Sequence, residues 1–528
     1  MSTFGQIFRV TTFGESHCKG VGAIVDGVPS RMALTEADIQ PQLTRRRPGQ
    51  SRLTTPRAEK DMVTIMSGTE KGYTLGTPIG LFVPNEDQRP GDYKEMSHIP
   101  RPGHADFTYQ VKYGTRASSG GGRSSARETI GRVAAGAIAE KWLRETYGCE
   151  VVCWVSSIGD VRMPPSVVPQ AEGRSGWTRE EVDKFGCLRM LRDPAHLKLL
   201  TEADEADADK RKAANVKAEI AAEDAFLAAL NDGGAATKKL AACGAYEDWQ
   251  GNVFNHEGEQ IAPPADLTKW RTDELLPLRC PHPPTAARMA TLIRQVKQVQ
   301  DSVGGTVACM CTKVPAGLGE PVFDRLEVRP PARTPARRSA PPAPPNRRAA
   351  AALTPPPDRA SQAMMAHAML SLPATKGFEI GSGFDGCTMR GSVHNDPFVA
   401  RPAAAGDGAD APAIMTSKNH AGGTLGGITS GADVYFRVAV KAVSTIGQAQ
   451  PTSTFDGKQV VLEAKGRHDP CVLPRTPPLV EGMAALVLAD CALLQRTRLG
   501  GATTTVSDGA SNFEPWANGG DAKRPRHG

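Results

Sequence analysis

The chain has 528 residues, 40% of them hydrophobic and 5% aromatic, with a formal charge of +6. That length admits two to four average domains or one large α/β domain with insertions, and the apolar content can supply a sizeable core. The mild positive charge permits an anionic ligand and falls well short of a nucleic-acid binder's footprint.

The first ten residues, "MSTFGQIFRV", lack the charged and apolar regions of a signal peptide. "FGESHCKGVGAIVDGVP" then presents His17 in a glycine-flanked loop before a strand-like run. Its Gly14-Glu15-Ser16-His17-Cys18 approaches a nucleophile elbow, but Cys18 stands where that motif needs glycine. "TEADIQPQLTRR" opens with a Thr-x-x-Asp variant of the capping box, a helix start. The triplet Arg45-Arg46-Arg47 and Arg52 surround a Pro-Gly turn, either as a solvated patch or partly facing a site. "IGLFVPN" has strand character.

Residues 101–129, "RPGHADFTYQVKYGTRASSGGGRSSARET", put His104 on a Pro-Gly turn and three glycines before Arg123, Ser124 and Ser125. Bare backbone, hydroxyls and guanidiniums at a helix start suit a phosphate or carboxylate. The order is neither that of a P-loop nor of a dinucleotide-binding glycine motif, and a flexible loop before a capped helix is the bland alternative. "ARETIGRVAAGAIAEKWLRETYG" spaces Ile130, Val133, Ala134, Ala137 and Ile138 helically up to Gly148. Its small residues predict a helix buried under a neighbouring layer.

"CEVVCWVSSIG" and "TVACMCTKVP" are strand-like. Their cysteine spacings match no zinc pattern, so the eleven cysteines read as reduced thiols and no metal is expected. Between those strands, residues 163–270 read as an insertion that is helical and partly solvated, because 193–251 is rich in Ala, Asp, Glu and Lys. A second insertion, 329–357, carries ten prolines and six arginines without an acid. It reads as a disordered linker, with a basic docking strip as the alternative.

"NHAGGTLGGITSG" is a further glycine-rich turn before the strand-like "ADVYFRVAVKAVSTI", and "KGRHDPC" sets Arg467, His468 and Asp469 at a turn fixed by Pro470. "PLVEGMAALVLADCALLQRTR" is the last helix. Its apolar core is too short to span a bilayer, and residues 515–528 read as a flexible tail. These features predict a layered α/β chain, soluble, cytoplasmic and without membrane or nucleic-acid partners, with residues 1–500 forming a single domain around the two insertions.

Taken together, eight stretches resemble the chorismate synthase family: "FGQIFRVTTFGESHCKGVGAIVDGVP", "RRRPGQSRLTT", "RPGHADFTYQVKYG", "SGGGRSSARETIGRVAAGAIA", "PAGLGEPVFDRL", "KGFEIGSGFDG", "NHAGGTLGGITSG" and "GRHDPCVLPR". They run in family order, and Cys18 and "TIGQAQ" look eukaryotic. The resemblance implies a β-α-β sandwich, antiparallel sheets enclosing a helical layer, assembled as a homotetramer. It implies an anti-1,4-elimination of phosphate from 5-enolpyruvylshikimate 3-phosphate that needs reduced FMN without consuming it. Matched by motif, His17, His104 and Asp469 fall on acid–base positions: His17 for the departing phosphate, His104 for the flavin, and Asp469 for the substrate C6 proton, relayed through the flavin. FMN contacts carry over to Arg123, Ser124, Ser125, Pro373, Ala374, Gly426, Lys441, Ala442, Val443, Ser444, Thr445 and Arg467. Pro373 departs from the asparagine of bacterial members, so only its backbone can serve. Arg46 and Arg52 match positions linked to NADP or substrate phosphate, and NADPH is a further cofactor if the enzyme reduces its own flavin. A flavin reductase alone and a basic nucleic-acid or acidic-protein binder are the rival readings.

Overall fold

The computed structural model describes residues 2–55, 57–87, 98–117, 120–168, 170–171, 174–191, 245–264, 266–322, 364–401, 414–464 and 468–498. Arg467, the insertion at 329–357, all of 192–244 and the tail at 515–528 lie outside them.

Two five-stranded antiparallel sheets flank a layer of helices. The first sheet is built from Thr3–Phe4, Arg9–Phe13, Gly20–Asp26, Ile79–Pro84 and Thr64–Ile65, in that spatial order. The second runs Thr375–Ile380, Val434–Val440, Gly305–Thr312, Glu150–Ile158 and Val161–Arg162. Their inward faces follow the two-residue period of a strand: Val21, Ala23 and Val25 are fully buried, as are Val434, Phe436 and Val438. Between the sheets lie α1 (Glu36–Arg46), α3 (Thr129–Tyr147) and α7 (Pro477–Arg498). The other helices of seven or more residues among the described residues are α2 (Asp106–Tyr113), α4 (Arg179–Phe185), α5 (Pro283–Gln298) and α6 (Met364–Leu370). The layered sandwich expected from the resemblance is the fold observed.

The three expected helices form for the expected reasons. Asp38 accepts the Thr35 backbone N–H at 2.8 Å, which starts α1 with a capping box. Gly148, at φ +66°, ends α3. The segment Gly122–Glu128 differs from expectation, because it makes two short 3₁₀ turns and α3 begins only at Thr129. Helix α7 is long and apolar enough to cross a membrane by composition, yet 83% of its most apolar window is buried in the core. Its Asp490 accepts the backbone N–H groups of Gln6, Ile7 and Phe8 at 2.8, 2.7 and 3.0 Å, so the amino-terminal turn is fastened to the central helix.

The helical expectation for 163–270 fails in its described part. Apart from α4 and the short turn Leu267–Trp270, those residues build strands. Cys187–Leu191, Ala245–Glu247, Val253–Phe254 and Gln260–Ile261 join Arg271–Pro277 in a third five-stranded sheet. The first four of these strands are two to five residues long, too short for a sequence period to register, and Leu188, Leu191, Ala245, Tyr246 and Val253 are buried in them. Helix propensity of the neighbouring Ala/Glu-rich run misled the reading because tertiary burial overrides propensity.

Two contacts hold the layers together. Helices α3 and α7 cross at Gly136 and Gly482, where a Cβ on Gly136 would lie 2.3 Å from the Gly482 Cα. Where α1 ends, the buried Asp61 carboxylate lies between two guanidiniums, Arg46 at 3.0 Å and Arg127 on its other oxygen. Burial works to raise the Asp61 carboxyl, but the charges of Arg46 and Arg127 outweigh it and hold it below the usual carboxylate value.

Gly136→Ala should therefore cost about 1–3 kcal/mol by overpacking the crossing, read as a lower urea midpoint; an unchanged midpoint would show that the helices part freely. Asp61→Ala should cost about 3–5 kcal/mol, because it strands the buried Arg46 and takes from Arg127 one of its two carboxylates. The folded carboxyl is depressed, so its contribution is present above the unfolded value of 3.8 and is lost as pH falls through the folded one. The stability gap between wild type and variant should accordingly close in acid, and a gap independent of pH would contradict the ion pair.

Candidate active site

At one end of the helical layer, loops from both sheets surround a cavity of about 900 Å³. This is near the upper end of the roughly 300–1,000 Å³ typical of small-molecule sites. Its wall carries seven arginines and a lysine: Arg46, Arg57, Arg101, Arg123, Arg127, Arg132, Arg475 and Lys441. Only Glu128 and Asp469 oppose them from the wall itself. Such a lining attracts a polyanion.

His17 hangs in the loop between the first sheet's second and third strands, with Ser16 Oγ 3.0 Å from its Nδ1. The 120–122 glycines pass directly over it: a Cβ on Gly120, whose φ is +74°, would fall 2.6 Å from that nitrogen. On the other side of this loop, a Cβ on Gly121 would lie 3.3 Å from His104 Nε2. The glycines are there because backbone, and no side chain, fits between two imidazoles.

His104 is held from behind. Asp106 Oδ1 is 2.9 Å from His104 Nδ1 and also accepts Arg101 Nη2 at 2.9 Å, while Arg101 Nε donates to Oδ2 at 2.7 Å. Burial pushes the Asp106 carboxyl up, but the bonds from Arg101 and His104 overcome this and keep it far below the usual carboxylate range.

Asp469 reaches the cavity from the turn before α7. Its two oxygens accept the Thr55 backbone N–H at 3.0 Å and Arg475 Nη1 at 2.6 Å. Burial nevertheless pushes its carboxyl above the ordinary value, against the pull of Arg475. A raised carboxyl next to ligand space is suited to exchanging protons.

Arg123 donates to the Gly14 and Thr12 carbonyls at 3.0 and 3.1 Å and to Thr12 Oγ1 at 2.6 Å. Ser124 Oγ donates to Gly121 O at 2.6 Å, and Ser125 Oγ accepts from Arg127 N at 3.2 Å. Opposite, Lys441 Nζ and Ser444 Oγ both donate to Gly103 O at 2.8 Å, tying the Lys441–Thr445 turn to the His104 turn. Lys441 N donates to Ala374 O at 2.9 Å, and Ala374 adopts φ +67°. Arg46, beyond its pair with Asp61, donates Nε to Thr129 Oγ1 at 3.2 Å and Nη2 to Ala126 O. Burial, with Arg475 and Arg127 nearby, lowers its guanidinium to about 9.

The structure thus gathers His17, His104, Asp469, Arg46, Arg123, Ser124, Ser125, Pro373, Ala374 and Lys441–Thr445 around one cavity. It leaves out two of the expected residues. Arg52 lies beyond the wall, its Nε 4.0 Å from Glu274. Gly426 sits in the tight turn between Thr424–Leu425 and Ile428–Thr429, at φ +62° with nothing within 4 Å of a Cβ there. Arg127, the second guanidinium of the glycine-rich motif, lines the cavity as that motif suggested, whereas Arg57, Arg101, Arg132 and Arg475 were not expected there. The available signal was that Arg101 stands inside a motif already singled out for histidine. Among the described residues no three His, Cys, Asp or Glu side chains converge as metal ligands.

The residues present fit a flavin mononucleotide. The lysine and hydroxyls of Lys441–Thr445 and the Arg123-Ser124-Ser125 turn offer donors to a phosphate, and the bare glycine backbone with Pro373–Ala374 leaves room for a flat ring.

Comparison with known proteins agrees. The chorismate synthase family model matches residues 8–330 and 351–493. A chorismate synthase of Neurospora crassa is 46% identical over 512 residues, spanning 94% of this chain and 92% of that protein. A chorismate synthase of Saccharomyces cerevisiae is 44% identical over 498 residues, spanning 94% and 98%. A solved structure titled "Crystal Structure of Chorismate Synthase" superposes with a TM-score of 0.52 at 24% identity, over 96% of this chain and all of that one. The chain belongs to the chorismate synthase family, phosphate-eliminating lyases that use reduced FMN.

Proposed function

We propose that this cavity converts 5-enolpyruvylshikimate 3-phosphate to chorismate, with His17, His104 and Asp469 as its proton-handling groups. The observation that carries the reading is the convergence of those three residues on a wall of seven arginines and a lysine. In the reaction the substrate's C–O bond to phosphate breaks with the electron pair leaving on phosphate. The C6–H bond breaks with loss of a proton, and the ring gains a double bond, so nothing is oxidised or reduced overall. Reduced FMN, when bound, supplies electron density that eases departure of phosphate.

The chain's own residues do the rest. Arg46 and its neighbours screen the leaving phosphate, as charge-assisted donors do. His17 hands it a proton, a role suited to the side chain most readily charged near neutrality. His104 holds a proton for the reduced flavin, and Asp469 is the final acceptor of the C6 proton, which its burial-raised carboxyl favours. Arg123, Ser124, Ser125, the backbone of Pro373–Ala374 and Lys441–Thr445 hold FMN.

A homotetramer is supported by exposed apolar side chains on the outer face of the first sheet, Phe13, Ile24 and Met66, since large exposed apolar groups mark association surfaces. A cytoplasmic location is supported by the cysteines, all free thiols among the described residues.

An anaerobic assay with photoreduced FMN should yield chorismate, and its absence would sink the reading. A second arm with NADPH and oxidised FMN reads self-reduction of the flavin; NADPH oxidation without chorismate in either arm would leave a flavin reductase alone. Under saturating reduced FMN, His17→Ala and Asp469→Asn should keep FMN affinity and lose turnover by about 10²–10⁴-fold. Arg123→Ala should instead weaken FMN binding by about ten- to a hundredfold, from a charge-assisted bond of roughly 1.5–3 kcal/mol. Recovery of full rate in His17→Ala or Asp469→Asn on adding flavin would reduce those two to binding residues.

A further inference from the structure

We propose that Asp106 is a positioning residue: it fixes the tautomer and orientation of His104 so that Nε2, and not Nδ1, exchanges protons with the cavity. The proposal rests on the acid–base reading of His104 given above.

The geometry leaves little choice. Asp106 is buried at the first residue of α2 and is 4% exposed. Oδ2 accepts Arg101 Nε at 2.7 Å and Arg101 backbone N at 3.2 Å; Oδ1 accepts Arg101 Nη2 and faces His104 Nδ1, both at 2.9 Å. A carboxylate can only accept, so Nδ1 must carry the hydrogen. Arg101 Nη2 also lies 3.1 Å from Nδ1, but a guanidinium can only donate, so it cannot bond a protonated Nδ1 and its hydrogen belongs to Oδ1. The ring's other nitrogen then points at Gly121, where the absent Cβ leaves access to the cavity.

Charge makes the arrangement durable. Arg101 and Arg116, the latter 3.8 Å from Oδ1, face the carboxylate, and Lys441 is bonded to the Gly103 carbonyl next to His104. With these cations around it Asp106 stays ionised while His104 gains and loses its proton. The imidazole therefore cycles at Nε2 against a fixed anion at Nδ1, and a histidine oriented this way presents the same atom to the ligand in both charge states.

Asp106→Asn keeps the shape but turns one acceptor into a donor. Arg101 cannot give up its protons, so the amide nitrogen is driven towards Nδ1 and His104 must carry its hydrogen on Nε2 instead. The experiment uses the full chain labelled with ¹⁵N-histidine, with FMN bound, and His104→Ala to identify the signal. In wild type the neutral ring should be protonated on Nδ1, and in Asp106→Asn on Nε2. At saturating reduced FMN, Asp106→Asn should lose about 10²–10⁴-fold in kcat, with KM for 5-enolpyruvylshikimate 3-phosphate within a few-fold. In a His104→Ala background the same substitution should change nothing further. A wild-type ring protonated on Nε2 overturns the proposal, and the wild-type spectrum decides this even if the variant does not fold. A loss that persists undiminished without His104 also overturns it, since Asp106 would then act through the fold. Full turnover in His104→Ala alone would instead fell the acid–base reading, while the spectrum still decides the tautomer.

Discussion

The site depends on the Asp61 carboxylate standing between Arg46 and Arg127. Arg46 belongs to the last turn of α1, and Arg127 to the turn that follows Arg123–Ser125. Arg127 also reaches Asn85 Oδ1 at 2.7 Å, the Pro84 carbonyl at 2.9 Å and Glu59 at 3.2 Å. One anion therefore pins the helical layer, the first sheet and the glycine-rich loop to each other at the cavity floor. Without it, Arg46 would lose its carboxylate and Arg127 would keep only Glu59, in a space that excludes water and leaves the lost pairing uncompensated.

A second buried cluster does the same on another face of α1's last turns. Glu481 of α7 is fully buried, pairs with Arg45, accepts Gln42 Nε2 at 2.9 Å and accepts the Cys153 backbone N–H at 3.0 Å. Adjacent arginines thus point opposite ways: Arg45 into the helix–sheet junction and Arg46 towards the ligand space. The helix period separates them by about 100°, which is why a run of three arginines does not make one continuous binding patch.

Much of the site was legible because its chemistry is concentrated in short motifs. His17, His104, Arg123–Ser125 and Asp469 lie in turns marked by glycine or proline, and the strands and helices that carry those turns show their periods plainly. Three things were not legible. Four of the third sheet's five strands are two to five residues long, too short to show alternation. The roles of Arg101, Arg127 and Arg475 come from partners five or more residues away, as with Arg101–Asp106 and Arg127–Asp61, and nothing local announces such pairing. Gly426 carries a motif match, yet it does not line this cavity, because a tight hairpin fixes where the chain reverses and not what it faces.

Counting charges by partner changes the picture of the cavity. Behind the eight cations of the wall stand Asp61, Glu59 and Asp106, each bonded to one or more of them. With Glu128 and Asp469, five carboxylates among the described residues offset these eight cations and Arg116 behind Asp106, leaving four net positive charges for the ligands. A substrate with one phosphate and two carboxylates, beside a flavin phosphate, brings more negative charge than that. An excess of bound anion favours the charged form of a base beside it, and His17 and His104 stand on either side of Gly120 and Gly121. On the acid–base roles proposed for His17 and His104, the ligands would themselves favour the charged imidazoles that those roles need. A lining richer in arginine would hold the same anions without that effect.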